Sequence, residues 1–152
     1  MPLDGSGKAE VVPGTVVPKT FLAGVQAGLS PDAKRLAFVV AAVNQEAVKP
    51  EDKIVLVTLD SPAAALRLLN ADSRITGNGV QFTPDGKALA YAIRENGVNI
   101  WLQPLDESPG RKITNFSSEQ IVDFRWSPDG KYLGLLRTHS ESDVVLLQDS
   151  KP

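Results

Sequence analysis

Cysteine is absent from the 152 residues, and histidine occurs once, at position 139. Without thiols the chain forms no disulfide, holds no thiolate-bound metal and offers no cysteine nucleophile. A lone histidine builds neither a zinc site nor a nucleophilic triad, since both need partnered groups. His139 sits in the polar stretch Thr138-His139-Ser140-Glu141-Ser142 and reads as a surface loop residue. An excess of one charge is also missing. Sixteen Lys and Arg against eighteen Asp and Glu leave a net charge of −2. That gives no basic footprint for nucleic acid. No apolar run approaches the roughly 20 residues of a membrane-spanning helix. Residues 1–20 lack the charged start and apolar core of a signal peptide. Apolar residues still make up 42% of the chain, enough for a folded core and about one domain in length.

What is present is a phrase used three times: Ser30-Pro31-Asp32-Ala33-Lys34, Thr83-Pro84-Asp85-Gly86-Lys87 and Ser127-Pro128-Asp129-Gly130-Lys131. An apolar run follows each copy, and a short alternating run precedes it. That is strand, tight turn, strand. Proline presets the first central position of a type I turn, and aspartate suits the second. Glycine then takes the left-handed position that closes a three-residue hairpin with a bulge. In the first copy Ala33 stands where glycine is expected. An L-residue there costs on the order of 1 kcal/mol, so this turn is expected to be the loosest.

From Asp32 to Asp85 is 53 positions, and from Asp85 to Asp129 is 44. A period of about 40–50 residues with several strands per unit marks propeller blades. The run Phe124-Arg125-Trp126-Ser127-Pro128-Asp129-Gly130-Lys131, with Asn99-Ile100-Trp101-Leu102, Pro104-Leu105-Asp106 and Lys112-Ile113-Thr114, resembles the TolB-like and WD-repeat-like propeller repeats of bacteria. The resemblance implies an all-β fold of four-stranded antiparallel blades, three per chain. It also implies a periplasmic or envelope-associated setting.

Taken in order, residues 2–13 read as the end of a blade, because Pro2-Leu3-Asp4-Gly5-Ser6 parallels Pro104-Leu105-Asp106-Glu107-Ser108. Lys8–Val12 then stands as an orphan outer strand. Gly5-Ser6-Gly7-Lys8 lacks the spacing and the strand–helix context of a phosphate loop. The first blade, 23–70, has expected strands Gly24–Leu29, Lys34–Val43, Lys53–Leu59 and Ala64–Leu69, with a charged insertion over Asn44–Asp52. The second, 78–115, has Gly79–Phe82, Lys87–Arg94, Asn99–Gln103 and Arg111–Thr114, with a hairpin turn at Asn96-Gly97. The third, 121–149, has Ile121–Trp126, Lys131–Thr138 and Asp143–Gln148, and no fourth strand.

Trp126, Phe82 and Leu29 share one register, three residues before the turn aspartate. They are expected to pack between neighbouring blades. Alternation puts Arg125, Gln81 and Gly28, and with them Asp123, on the opposite face. Gln81, Asp123 and Arg125 are therefore the candidate partner-binding residues, at the axial channel or its mouth. The plain alternative is that Asp123 and Arg125 pair across neighbouring strands or blades. The turn aspartates already have a structural task, so a paired-carboxylate hydrolase is not expected.

No catalytic residue, cofactor or metal is expected. The resemblance implies a non-catalytic scaffold or sensor that docks a protein or peptide on a propeller face or in its channel. The other candidate is the gating propeller of a prolyl-oligopeptidase-type peptidase, whose Gly-x-Ser-x-Gly elbow is missing from this sequence. Three blades do not close a toroid of about 4–8 blades. A homodimer with exchanged N-terminal strands, six blades in all, is the expected assembly.

Overall fold

The computed structural model describes residues 26–40, 53–59 and 66–138. The orphan strand Lys8–Val12, the insertion, Asp143–Gln148 and His139 lie outside the described residues.

The described residues form ten β-strands and no helix, and every strand pair is antiparallel. The first sheet runs in chain order through β1 (Gly28–Leu29), β2 (Arg35–Val40), β3 (Lys53–Thr58) and β4 (Leu66–Asn70). The second repeats that order with β5 (Ile75–Phe82), β6 (Ala88–Arg94), β7 (Val98–Pro104) and β8 (Arg111–Lys112). The third holds β9 (Gln120–Trp126) and β10 (Leu133–Thr138). Consecutive antiparallel strands joined by short turns are what alternating runs and Pro/Gly punctuation dictate.

The sheets stack face to face. Ala37, Val39, Ile54 and Leu56 of the first sheet share one core with Val80, Phe82, Leu89, Tyr91 and Ile93 of the second. The other face of the second sheet, through Ala90, Ala92, Val98 and Ile100, shares a core with Ile121 and Phe124 of the third. Strand β6 is thus covered on both sides, and its residues Ala88–Ile93 are all buried. Its side chains alternate between large, towards the first sheet, and alanine, towards the third. Each large one contributes about 1.5–3 kcal/mol by burial. Leu29 departs from the expected packing: it is 53% exposed, whereas Phe82 in the same register is buried. The face of the first sheet that carries Leu29 meets no other described sheet.

The three turns share one geometry, and it is longer than a three-residue hairpin. The carbonyl of Ser30, Thr83 or Ser127 accepts from the amide three residues on, at 2.8, 2.8 and 2.9 Å. The amide of each donates to the carbonyl five residues on, so four residues lie between the closing pair. The extra residue is the lysine. Its amide is taken by the turn aspartate, at 3.1, 3.0 and 3.2 Å. That is why the outgoing strands start after Lys34, Lys87 and Lys131 rather than on them. The Ser or Thr hydroxyl donates to the same aspartate oxygen at 2.5–2.6 Å. It also accepts the amide of residue 35, 88 or 132 at 2.8–3.0 Å. Ala33 takes the left-handed backbone like its glycine counterparts, with φ of 56° against 66° and 71°.

Candidate functional site

The first strands of the three sheets converge. A Cβ on Gly28 would fall on the carbonyl oxygen of Val80 and lie 3.2 Å from the Cα of Gln81. Only glycine lets β1 come this close to β5. Gln81 in turn reaches β9, where its Nε2 donates to the carbonyl of Phe124. Farther along the strands the second and third sheets are tied by Arg94 of β6, whose Nη1 donates to Gln120 Oε1 of β9 at 3.2 Å.

Asp123 and Arg125 lie two residues apart on β9, on one face. Arg125 Nε is 3.4 Å from Asp123 Oδ2, and Asp123 Oδ1 accepts the Phe124 amide at 2.8 Å. The pairing runs along one strand and not across strands or sheets, as the plain reading had it. The Arg125 side chain remains 65% exposed. An exposed pair of this kind is worth about 0–1 kcal/mol, so it leaves the guanidinium free to turn to a partner.

Gln81 and Arg125 line a cleft of about 310 Å³ together with Leu29, Phe82, Trp126 and the three turn prolines Pro31, Pro84 and Pro128. A second hollow, of about 570 Å³, shares Trp126, Pro84 and Pro128 and runs between the second and third turns. The prolines meet there because the turns are laddered. A Cβ on Gly130 would stand 2.9 Å from Pro84, and one on Gly86 would stand 3.0 Å from Arg35 Nη2 and 3.7 Å from Pro31. Arg35 fixes the upper rung. It donates to the carbonyl of Gly86 at 3.0 Å and lies 5.3 Å from the centre of the Phe82 ring.

The structure therefore brings Gln81 and Arg125 to one cleft and places Asp123 behind Arg125. Chemically the cleft offers apolar and aromatic walls, an amide and a cation. The turn aspartates Asp85 and Asp129, which line the second hollow, are held below the usual carboxylate range, first by the Thr83 and Ser127 hydroxyls. They stay ionised near neutrality and are poorly suited to general acid work. No group of three or more His, Cys, Asp or Glu poised to hold a metal occurs among the described residues.

Two polar centres had no signal in the sequence. Arg74 chelates Asp72 at 2.8 Å, pairs with Glu95 at 2.6 Å and lies 5.4 Å from the centre of the Trp101 ring. Lys112 also reaches Glu95, at 2.9 Å. Asn99 is buried and fully bonded. Its Oδ1 accepts from the Phe116 amide and the Thr114 hydroxyl, and its Nδ2 donates to the Phe116 carbonyl. Both join residues distant in the chain, so only the fold assembles them.

No family model of known proteins matches the chain. Over 79 residues, 51% of its length, the chain is 34% identical to tricorn protease homolog 2 of Streptomyces coelicolor. The match spans 7% of that much longer protein.

Proposed function

We propose that the three sheets are successive blades of a β-propeller of the TolB-like type, and that the chain is a non-catalytic module that binds a polypeptide at the cleft. Three features support the propeller reading. Each sheet is a meander in chain order, the sheets stack face to face, and their first strands converge. The observation that carries the binding reading is the exposed Arg125 beside Gln81 in a cleft walled by Phe82, Trp126 and three prolines. Aromatic and proline walls take apolar side chains, and an amide and a cation at the rim take backbone carbonyls or an acidic group. The likeness to a tricorn protease homolog favours a second reading, in which the same propeller admits polypeptides to a peptidase.

A displayed library of random peptides tests the proposal. Enriched peptides are expected to lose at least tenfold in affinity for Arg125→Ala and Gln81→Ala, about 1.4 kcal/mol. Peptides that bind the wild type and both variants equally would remove the cleft from the account. Peptide hydrolysis that survives repurification would sink the non-catalytic role itself.

A further inference from the structure

Trp126 is a wall of the cleft and of the second hollow alike, with Pro84 and Pro128 beside it in each. The two spaces thus adjoin along one indole ring, and the charged groups that line them differ in sign. The cleft is lined by one charged side chain, the Arg125 guanidinium. The second hollow is lined by two, the carboxylates of Asp85 and Asp129. Their counter-charges stand outside. Asp123 lies 3.4 Å from Arg125 and Lys131 lies 3.6 Å from Asp129, and neither lines either space. Both pairs are long and exposed, so water screens them and a ligand can replace them. The bonds that shape the two turns fall on Oδ1 of each aspartate. They fix the carboxylates in place without neutralising them.

Trp126 adds a donor. Its Nε1 is shut off from solvent and has no hydrogen-bond partner among the described residues. A buried donor left without an acceptor carries its desolvation cost uncompensated. The residue as a whole is half-buried, so the ring has room to turn its N–H toward the space it walls.

Resting on the polypeptide-binding reading above, we infer that the cleft and the second hollow together take one extended segment with an acidic residue at one end, apolar residues in the middle and a basic residue at the other end. The acidic group meets Arg125. The apolar residues lie on Trp126 and the prolines, and the basic group meets Asp85 and Asp129. The Trp126 N–H turns out to a backbone carbonyl of the segment. A segment with acids at both ends meets the two carboxylates, and one with bases at both ends meets Arg125. The arrangement therefore selects against both.

Peptides enriched from a displayed random library, then synthesised, test the inference. They are expected to carry both charges with apolar residues between them. Arg125→Gln should weaken their binding about tenfold. It should bind copies in which the acidic residue becomes its amide as weakly as the wild type does. Asp85→Asn together with Asp129→Asn should weaken binding by a similar factor, and the loss should vanish for copies with glutamine in place of the basic residue. Asparagine keeps the Oδ1 acceptor of each turn, so this variant is expected to fold with wild-type circular dichroism. Should it fail to fold, the glutamine copies read on the wild type alone give the same answer. In nuclear magnetic resonance spectra the Trp126 indole proton should move downfield as peptide is added, and Trp126→Phe assigns that signal. Peptides that depend on Arg125 and Gln81 but carry no basic residue overturn the inference and leave the function proposed for the cleft standing. Wild-type binding that glutamine copies retain in full does the same, as does an indole proton that no bound peptide shifts. Peptides indifferent to Arg125 and Gln81 remove the inference and the proposed function together.

Discussion

A left-handed backbone and a neighbour's ring act together on the turn residues. Gly130 has φ of 71°, and a Cβ there would crowd Pro84 at 2.9 Å. Ala33 has the same backbone sign but belongs to the first described turn, and no earlier turn among the described residues sets a proline ring against it. Gly130→Val should therefore cost about 3 kcal/mol, from left-handed strain of about 1–3 kcal/mol with crowding added. Ala33→Gly should change stability by less than about 0.5 kcal/mol, since relieved strain and added unfolded-state freedom nearly cancel. Thermal denaturation reads both, and equal losses for Gly130→Val and Ala33→Val would refute the role of the proline. The turn aspartates give a second prediction. Asp32, Asp85 and Asp129 are held below the usual carboxylate range, first by the Ser or Thr hydroxyl and then by the lysine amide. A depressed folded pKa stabilises the fold above the unfolded value of about 3.9 and is lost as pH falls through the folded value. The urea midpoint should decline below about pH 4 and decline less in the triple Asp→Asn variant; identical acid profiles would deny the turns this role.

Strand ends were harder to read than strands. The hydrophobic alternation placed all ten described strands and the Asn96-Gly97 hairpin, because burial of one face specifies register. It erred at strand ends: β5 begins at Ile75, before the expected Gly79, because its pairing with β6 continues past a register shift between Ile75 and Val80. β8 stops at Lys112, short of Thr114, because the Thr114 hydroxyl accepts the Ile100 amide at 2.8 Å in place of a carbonyl. Asn99 then ties Thr114 and Phe116 down, and no local pattern announces such a bond between residues 15 and 17 apart. The candidate site was legible in part for the same reason. Alternation set Gln81 and Arg125 on one face, but the proline ladder that walls their cleft is a tertiary product. Asn99→Ala would strand the Phe116 amide and carbonyl in the interior, at about 1–3 kcal/mol for each group left unsatisfied. A loss above about 2 kcal/mol in urea denaturation is expected; a loss below about 0.5 kcal/mol would mean that water replaces the amide. Tyr91 tests the core of the second sheet from the alkaline side. Burial raises its phenol to about 12. A raised folded value stabilises the fold below the unfolded value of about 10 and is lost as pH climbs to the folded one. Ultraviolet titration should show one tyrosine ionising near that upper limit, and Tyr91→Phe should remove it.

Stacked repeats are stable in proportion to the neighbours each unit has. The second sheet has a core on both faces, whereas the third shares a core with the second on one face and opens Leu136 on the other. Local opening should therefore begin at β10 and reach β6 last, because buried apolar contacts set the free energy of each opening step. Amide hydrogen exchange is expected to be slowest across Ala88–Ile93 and fastest, among strand amides, across Leu133–Thr138. Equal protection of β6 and β10 at low concentration would show that the sheets open as one unit, contrary to a stack held by nearest-neighbour cores.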